Sequence, residues 1–289
     1  MKSKLLGEVV DDCTRLIGEG GLIVCNEDDY FQTQHFDLDT ALGGGFEKTK
    51  VYLLKGRKGN GKTSFAVDLV CGLGTRGYKT AYFTLEDDLE KTGQKILAHV
   101  SGVPYQKVRA GLMSDEEYSL INASAGIIGK RNITLVWETQ DITDIVNEAC
   151  LLKVETGLDV IIIDSLEQIS HKGKSIRRVL KSFKNIAEQL NVAVIVTSGS
   201  SGSASRDDKA LTVREVSGPL LQSVDPDNYL TGNDIDYLLY LEKGSCDEAV
   251  EKIRYCSNLY VFEKGRARPV EVNLQFIPRL IWYGNIGYN

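Results

Sequence analysis

At 289 residues, with 42% hydrophobic and 26% charged residues, the chain has the composition of an ordinary soluble globular protein of one large or two modest domains. Its formal net charge of −6 excludes a globally basic surface, so any nucleic-acid binding must come from local patches. No apolar run reaches the ~18 residues of a membrane span, no signal-peptide core follows Met1-Lys2-Ser3-Lys4, and the six cysteines show neither a C-x-x-C pair nor metal-ligand spacing, as expected of thiols in a reducing compartment.

Between residues 4 and 17, Leu5, Leu6, Val9, Val10, Cys13, Leu16 and Ile17 recur at helical spacing, and Gly18 to Gly21 end the helix. That stripe needs a partner, either its own domain or a neighbouring subunit. Asn26 to Gln34 reads as polar and irregular. Phe36 to Leu42 predicts a short helix that stops at Gly43-Gly44-Gly45. Val51 to Leu54 is a buried strand, and Ser64 to Val70 has helical periodicity. Strands follow at 79–85 and 133–137, with helices at about 89–100, 115–128 and 141–154, the last N-capped by Asp141. Leu158 to Asp164 is an unbroken β-branched run, the mark of a central parallel strand covered on both faces. A helix at 175–190 and a strand at 192–197 complete the alternation. Gly199 to Ser205 is loop by composition, and 235–241, 259–263, 270–276 and 280–283 predict further strands, the last of them antiparallel hairpins. The expectation is an α/β fold with a mostly parallel central sheet, helices on both faces and late antiparallel strands. One core domain, residues 35–289, follows an N-terminal helical arm, residues 1–34.

Strand, glycine-rich turn and helix surround Gly56-Arg57-Lys58-Gly59-Asn60-Gly61-Lys62-Thr63, a G-x-x-x-x-G-K-T phosphate-binding loop. Gly56, Gly59, Asn60, Gly61 and Ser64 line the cradle, where backbone amides and the helix N-terminus hold the phosphates of a nucleoside triphosphate. Lys62 bridges the terminal phosphates and the Thr63 hydroxyl holds Mg²⁺. Asp164, ending the apolar strand, is either the second acid of the Mg²⁺ shell or a helix cap. Glu86, ending the strand after the loop helix, is either the carboxylate that activates water or one of a surface acidic group with Asp87, Asp88 and Glu90. Lys172, Lys174, Arg177, Arg178, Lys181 and Lys184 form a basic run in an acidic chain, which reads as a nucleic-acid contact or as a solvated helix face. Lys264-Gly265-Arg266 joins two late strands, where cations act either as a soluble tip or as fingers that reach a neighbour's γ-phosphate.

In shared order, these landmarks resemble the C-terminal RecA-like motor domain of DnaB-type replicative helicases. They are Phe36-Asp37-Leu38-Asp39 before the glycine turn, the phosphate loop, Leu85-Glu86, Ser101-Gly102-Val103-Pro104, Ile163-Asp164, Leu190-Asn191-Val192, Arg214-Glu215 with Ser217-Gly218, and Lys264-x-Arg266. The likeness spans about residues 36–276. It implies ATP and Mg²⁺ at Lys62, Thr63 and Asp164, with Glu86 as the catalytic carboxylate and Lys264 and Arg266 acting in trans. It places Arg214, Glu215 and Gly218 in a loop that touches single-stranded DNA. It further implies a hexameric ring of identical subunits, a primase or helicase loader as partner, a role in DNA replication, and the cytoplasm of a bacterial cell or phage-infected host. The chain departs from the family at Thr197-Ser198-Gly199, where Ser-Gln is usual, at Val216 and at Ala267-Arg268, and these residues include no counterpart of the primase-binding N-terminal domain. The missing Gln and the missing N-terminal domain favour a different class, a RecA-superfamily ATPase switch or assembly factor of the recombination-mediator or clock-protein type that unwinds nothing. The basic run, Arg214-Glu215 and Lys264-x-Arg266 favour the motor.

Overall fold

The structure, a computed structural model, describes residues 29–170, 175–199, 229–230, 233–244, 255–266 and 268–285. The helix expected at 4–17 and the residues Lys172, Lys174, Arg214, Glu215 and Gly218 lie outside the described residues. In chain order the elements are β1 (Tyr30–Phe31), α1 (Phe36–Ala41), β2 (Phe46–Glu47), β3 (Val51–Gly56), α2 (Lys62–Thr75), β4 (Thr80–Thr84), α3 (Leu89–Ser101), α4 (Tyr105–Ala110) and α5 (Asp115–Ile128). They continue with β5 (Ile133–Val136), α6 (Ile142–Glu155), β6 (Val160–Asp164), a 3₁₀ turn (Leu166–Gln168), α7 (Ile176–Leu190), β7 (Ala193–Gly199), β8 (Tyr237–Lys243), β9 (Tyr255–Glu263), β10 (Val270–Ile277), a second 3₁₀ turn (Pro278–Leu280) and β11 (Trp282–Asn285).

Nine strands form one sheet in the order β11-β10-β9-β8-β3-β7-β6-β4-β5. From β8 to β5 every pairing is parallel, and from β8 to β11 every pairing is antiparallel, with β9–β10 and β10–β11 joined by connections too short for a parallel crossover. Side chains alternate across the central strands. Val51, Leu53, Ile161, Ile163, Val194 and Val196 meet α6 and α7 on one face, and Tyr52, Leu54, Val160, Ile162 and Ile195 meet α1, α2 and α3 on the other. Both faces of the parallel half are therefore covered, which is why its strands are apolar without interruption.

Caps fall where the sequence supplies them. Asp88 accepts the Lys91 amide at 2.7 Å, Asp141 accepts the Thr143 amide at 2.8 Å, and Ser114 with Glu117 forms a reciprocal capping box at α5. Two expectations need correction, and one helix carries no signal in the sequence. The stretch before Gln34 is not wholly irregular, because Tyr30 and Phe31 pair with Glu47 and Phe46 and Phe31 is buried. The helix α4 is the one without a signal, because it is too short for helical periodicity and has no buried residue. The final strand begins at Trp282 rather than Leu280, because Pro278 opens a 3₁₀ turn and Ile281 takes a left-handed φ of 53° before the chain re-extends.

Candidate nucleotide site

The loop after β3 stands at the carboxyl edge of the parallel strands, where ligands bind in open α/β sheets. Lys55 pairs with Ser198 and Gly56 with Gly199, so the first loop residue lies beside the end of β7. On its other side a Cβ on Gly56 would stand 2.7 Å from the Leu241 carbonyl of β8, so only glycine fits. Asn60 Nδ2 donates to the same carbonyl at 3.1 Å, tying the loop to β8. Gly61 takes φ 91° at the N-cap of α2, and Lys62, Thr63 and Ser64 form its half-buried first turn.

Lys62 folds back over the loop, its Nζ donating to Gly56 O at 2.9 Å and to Arg57 O at 3.2 Å. Burial lowers its proton affinity, and the carboxylates of Glu167, Asp164 and Glu86, in falling order, oppose that shift. Three acids from the ends of β4 and β6 thus act on one ammonium group. Asp164 is buried at the end of β6, its Oδ1 accepting the Thr197 hydroxyl at 2.5 Å and its Oδ2 the Tyr82 hydroxyl at 3.1 Å. Both partners lie on neighbouring strands, β7 and β4, so the carboxylate is oriented by the sheet. A carboxylate held by two hydroxyls reaches a metal through its water, the outer-shell role expected of it. Glu86 follows β4, is exposed, and donates its amide to Asp164 O at 3.2 Å. A loop that begins where only glycine fits, an ammonium group and an oriented carboxylate fit Mg²⁺ with a nucleoside triphosphate.

Sequence reasoning missed Glu167. It sits in the 3₁₀ turn after β6, and its Oε1 accepts the Ser198 hydroxyl and the Gly199 amide, each at 2.7 Å. Its signal was an acid three residues after Asp164, one turn further along the chain.

Other predicted residues lie elsewhere. Lys264 and Arg266 occupy the β9–β10 turn, where Lys264 donates its amide to Asp236 O at 3.0 Å and Arg266 approaches its own Glu263 at 3.4 Å. Because Glu263 pairs with Tyr237 at the start of β8, that turn is at the amino edge of the parallel strands, opposite the phosphate loop. Arg177 pairs with Asp234 at 2.7 Å and lies 5.8 Å from the Tyr229 ring, which Lys55 approaches at 5.5 Å. Lys184 meets Asp236 at 2.8 Å and donates to Thr49 O at 3.0 Å. The basic run contains no acid of its own, but the loop before β8 supplies acids to two of its cations.

The sequence profile of the DnaB-like helicase C terminal domain matches residues 31–219. The replicative DNA helicase DnaB of Geobacillus stearothermophilus is 27% identical over 247 residues, covering 81% of this chain and 52% of that protein. The replicative DNA helicase DnaC of Bacillus subtilis is 27% identical over 194 residues, covering 63% of this chain and 42% of that protein. The chain thus spans about half the length of these curated relatives. Among solved structures, one described as an ATPase domain superposes with a TM-score of 0.73 at 17% identity, over 99% of this chain and 100% of that one. A DnaB-like replicative helicase described with its primase interactions also gives 0.73 at 18% identity, over 99% of this chain and 68% of that one. These two likenesses establish the RecA-like ATPase fold. With residues 31–219 matched, the chain belongs to the DnaB-like helicase C-terminal domain family.

Proposed function

We propose that this chain is the ATP-driven motor of a DnaB-like replicative helicase, translocating on single-stranded DNA as a ring of identical subunits, with ATP and Mg²⁺ as its cofactors. The observation that carries the reading is the phosphate loop at the end of β3, with Lys62 on the Gly56 carbonyl at 2.9 Å and Asp164 oriented by Tyr82 and Thr197 at the end of β6, within the matched family region. When bound, Mg-ATP supplies the phosphoryl group that water accepts. The loop amides cradle the phosphates, and Lys62 exchanges the Gly56 and Arg57 carbonyls for phosphate oxygens. Thr63 would hold the metal by its hydroxyl, and Asp164, oriented by Tyr82 and Thr197, would hold it through water. Glu86 takes the proton of the attacking water. Lys264 and Arg266 serve a neighbour's site, and Lys172, Lys174, Arg177, Arg214, Glu215 and Gly218 face DNA. A primase is the partner suggested by the relative described with one, and the bacterial helicases matched suggest the cytoplasm.

One observation favours the switch or assembly-factor reading: Arg177 and Lys184, two cations of the basic run, are already engaged by Asp234 and Asp236. A forked-DNA unwinding assay with ATP and Mg²⁺ separates the two. Strand separation that disappears in Lys62→Ala is the result expected of the motor. ATP hydrolysis with no unwinding or translocation by the assembled protein would leave the switch.

A further inference from the structure

We infer that Tyr283 of the last strand, β11, is a positioning residue of the nucleotide site, a strut that turns the Gly61 and Lys62 amides of the phosphate loop toward the nucleotide. The inference rests on the nucleotide-binding reading of that loop. The Tyr283 hydroxyl stands 3.4 Å from Asn60 O and 3.3 Å from Gly61 O, its one hydrogen shared between them. Each of these carbonyls belongs to a peptide unit whose other polar group is the next residue's amide. In a trans peptide the C=O and N–H point in opposite directions. Holding the Asn60 and Gly61 carbonyls against Tyr283 therefore aims the Gly61 and Lys62 amides the other way, into the cradle. Gly61 O also accepts the Phe65 amide at 2.8 Å, so the strut acts where the helix begins.

The strut is held from several sides. The Tyr283 ring is buried, stacks on Phe276 at 4.4 Å between centroids and 14° between planes, and meets Phe65 edge-on at 5.0 Å. Its amide donates to Asp68 Oδ1 at 3.1 Å. Asp68 is a fully buried carboxylate on α2 whose Oδ2 lies 2.5 Å from His35 Nε2. Two residues earlier, Ile281 O accepts His99 Nδ1 of α3 at 2.8 Å. The helix that carries the loop thus grips β11, and β11 reaches back to the loop. Such a ring is preorganised before any ligand arrives. Burial, with the nearby charge of Asp68, pushes the Tyr283 hydroxyl far above its usual range, so it stays a donor. A Cβ on Gly61 would lie 2.3 Å from that hydroxyl, so loop and strut are fitted to each other. This contact joins the loop to a strand beyond residues 31–219, the part covered by the family profile.

The test is equilibrium binding of a fluorescent ADP analogue to the whole chain, which reads affinity without turnover. Tyr283→Phe keeps the ring and loses the donor. Affinity should fall about fivefold, the scale of one neutral hydrogen bond, in a protein that still folds. If the wild type fails to bind, or Lys62→Ala binds as the wild type does, the nucleotide reading itself fails. If the wild type binds, Lys62→Ala is impaired and Tyr283→Phe equals wild type, the strut alone is overturned. Should Tyr283→Phe also lower the melting temperature, Gly61→Ala decides the matter. Its added methyl should cost less affinity in the Tyr283→Phe background, where the opposing oxygen is gone, than in the wild type. Strictly additive effects would overturn the strut.

Discussion

The Glu167 carboxylate accepts the Gly199 amide at 2.7 Å, and Gly199 is the residue paired with Gly56 at the start of the phosphate loop. With Lys62 on the Gly56 carbonyl at 2.9 Å, one line of contacts runs from the turn after β6, across the end of β7, to the ammonium of the loop. Ser198 donates to the same Glu167 oxygen at 2.7 Å, so the end of β7 is held by a charge rather than by sheet pairing alone. Hydrogen bonds to a charged acceptor are the stronger kind.

Two substitutions separate what Glu167 does. Glu167→Gln can still accept from Ser198 and Gly199 but removes the foremost charge acting on Lys62. It should leave the melting temperature unchanged while weakening binding of a nucleotide analogue at alkaline pH. Glu167→Ala loses both effects and should also destabilise the fold by about 1 kcal/mol, the ordinary worth of such a contact near the surface. Equal melting temperatures for both variants and the wild type would show that the two bonds hold nothing.

Much of this arrangement was legible in the sequence because it is local. Gly56 to Thr63 announce themselves by spacing, and Asp164 by the apolar run that ends in it. Asp141 was recognisable as a cap because capping joins residues two or three apart. What was not legible is what the sheet brings together from far along the chain. Tyr82 and Thr197 hold Asp164 only because β4 and β7 flank β6. Tyr283 lies 222 residues from Gly61 in sequence, and no periodicity links them. Arg177 and Lys184 read as a bare positive field because Asp234 and Asp236 arrive about fifty residues later.

The lowered proton affinity of Lys62 sets a pH dependence. Burial favours its neutral form, so it releases its proton before the pH reaches the ordinary lysine value of 10.5. Phosphates need the charged form, so nucleotide affinity should begin to fall below pH 10.5. Lys62→Arg, which stays charged, should show no such fall over the same range. Stability of the nucleotide-free protein moves the other way. In the window between the lowered value and 10.5 the unfolded chain binds more protons, so folding gains as pH rises. A flat binding profile in the wild type would mean that Lys62 does not carry the affinity.

Glu86→Gln should keep nucleotide binding and lose turnover by about 100-fold, the low end of general-base catalysis. Glu86 is exposed beside Asp164, and its charge reaches Lys62, so the same substitution alters the field of the site as well as its base. Binding and single-turnover measurements on one preparation keep the two apart. Hydrolysis at the wild-type rate would place water activation on another group, with Glu167 the next acid to substitute.

Asp236 should prove structural, and heavily so. Its Oδ2 accepts the Val51 amide at 2.8 Å, and both its oxygens receive Lys184. Asp236→Ala leaves the first amide of β3 without its acceptor and the half-buried Lys184 ammonium with only the Thr49 carbonyl and Glu188, and should cost about 2 kcal/mol in urea unfolding. Asp236→Asn retains an acceptor and should cost less. If Lys184 instead faced DNA in the folded protein, Lys184→Ala would weaken DNA binding and leave stability untouched, the reverse of what this pairing requires.

Arg266 offers the last test, because the sheet decides what it can reach. The β9–β10 turn lies beside Tyr237 at the amino edge of β8, while the loop leaves β3 at Gly56, a full strand away. Tyr237 pairs with Tyr52, so four residues of β3 at ~3.3 Å each, about 13 Å, separate the level of Glu263 from Gly56, and the turn runs on from Glu263 away from the loop, beyond the reach of an arginine side chain. Arg266 therefore cannot complete its own site and acts on a neighbour's or on none. Arg266→Ala should lose most ATP hydrolysis yet bind nucleotide normally, since its own loop is intact. Lys62→Ala should fail to bind. Mixed in equal amounts under conditions that allow subunit exchange, the two inactive proteins should recover activity at about one interface in four, wherever the intact loop of the first meets the intact turn of the second. Mixtures that co-assemble and stay inactive would show that the turn carries no finger. An Arg266→Ala protein that hydrolyses at the full rate alone would show the same without any mixing.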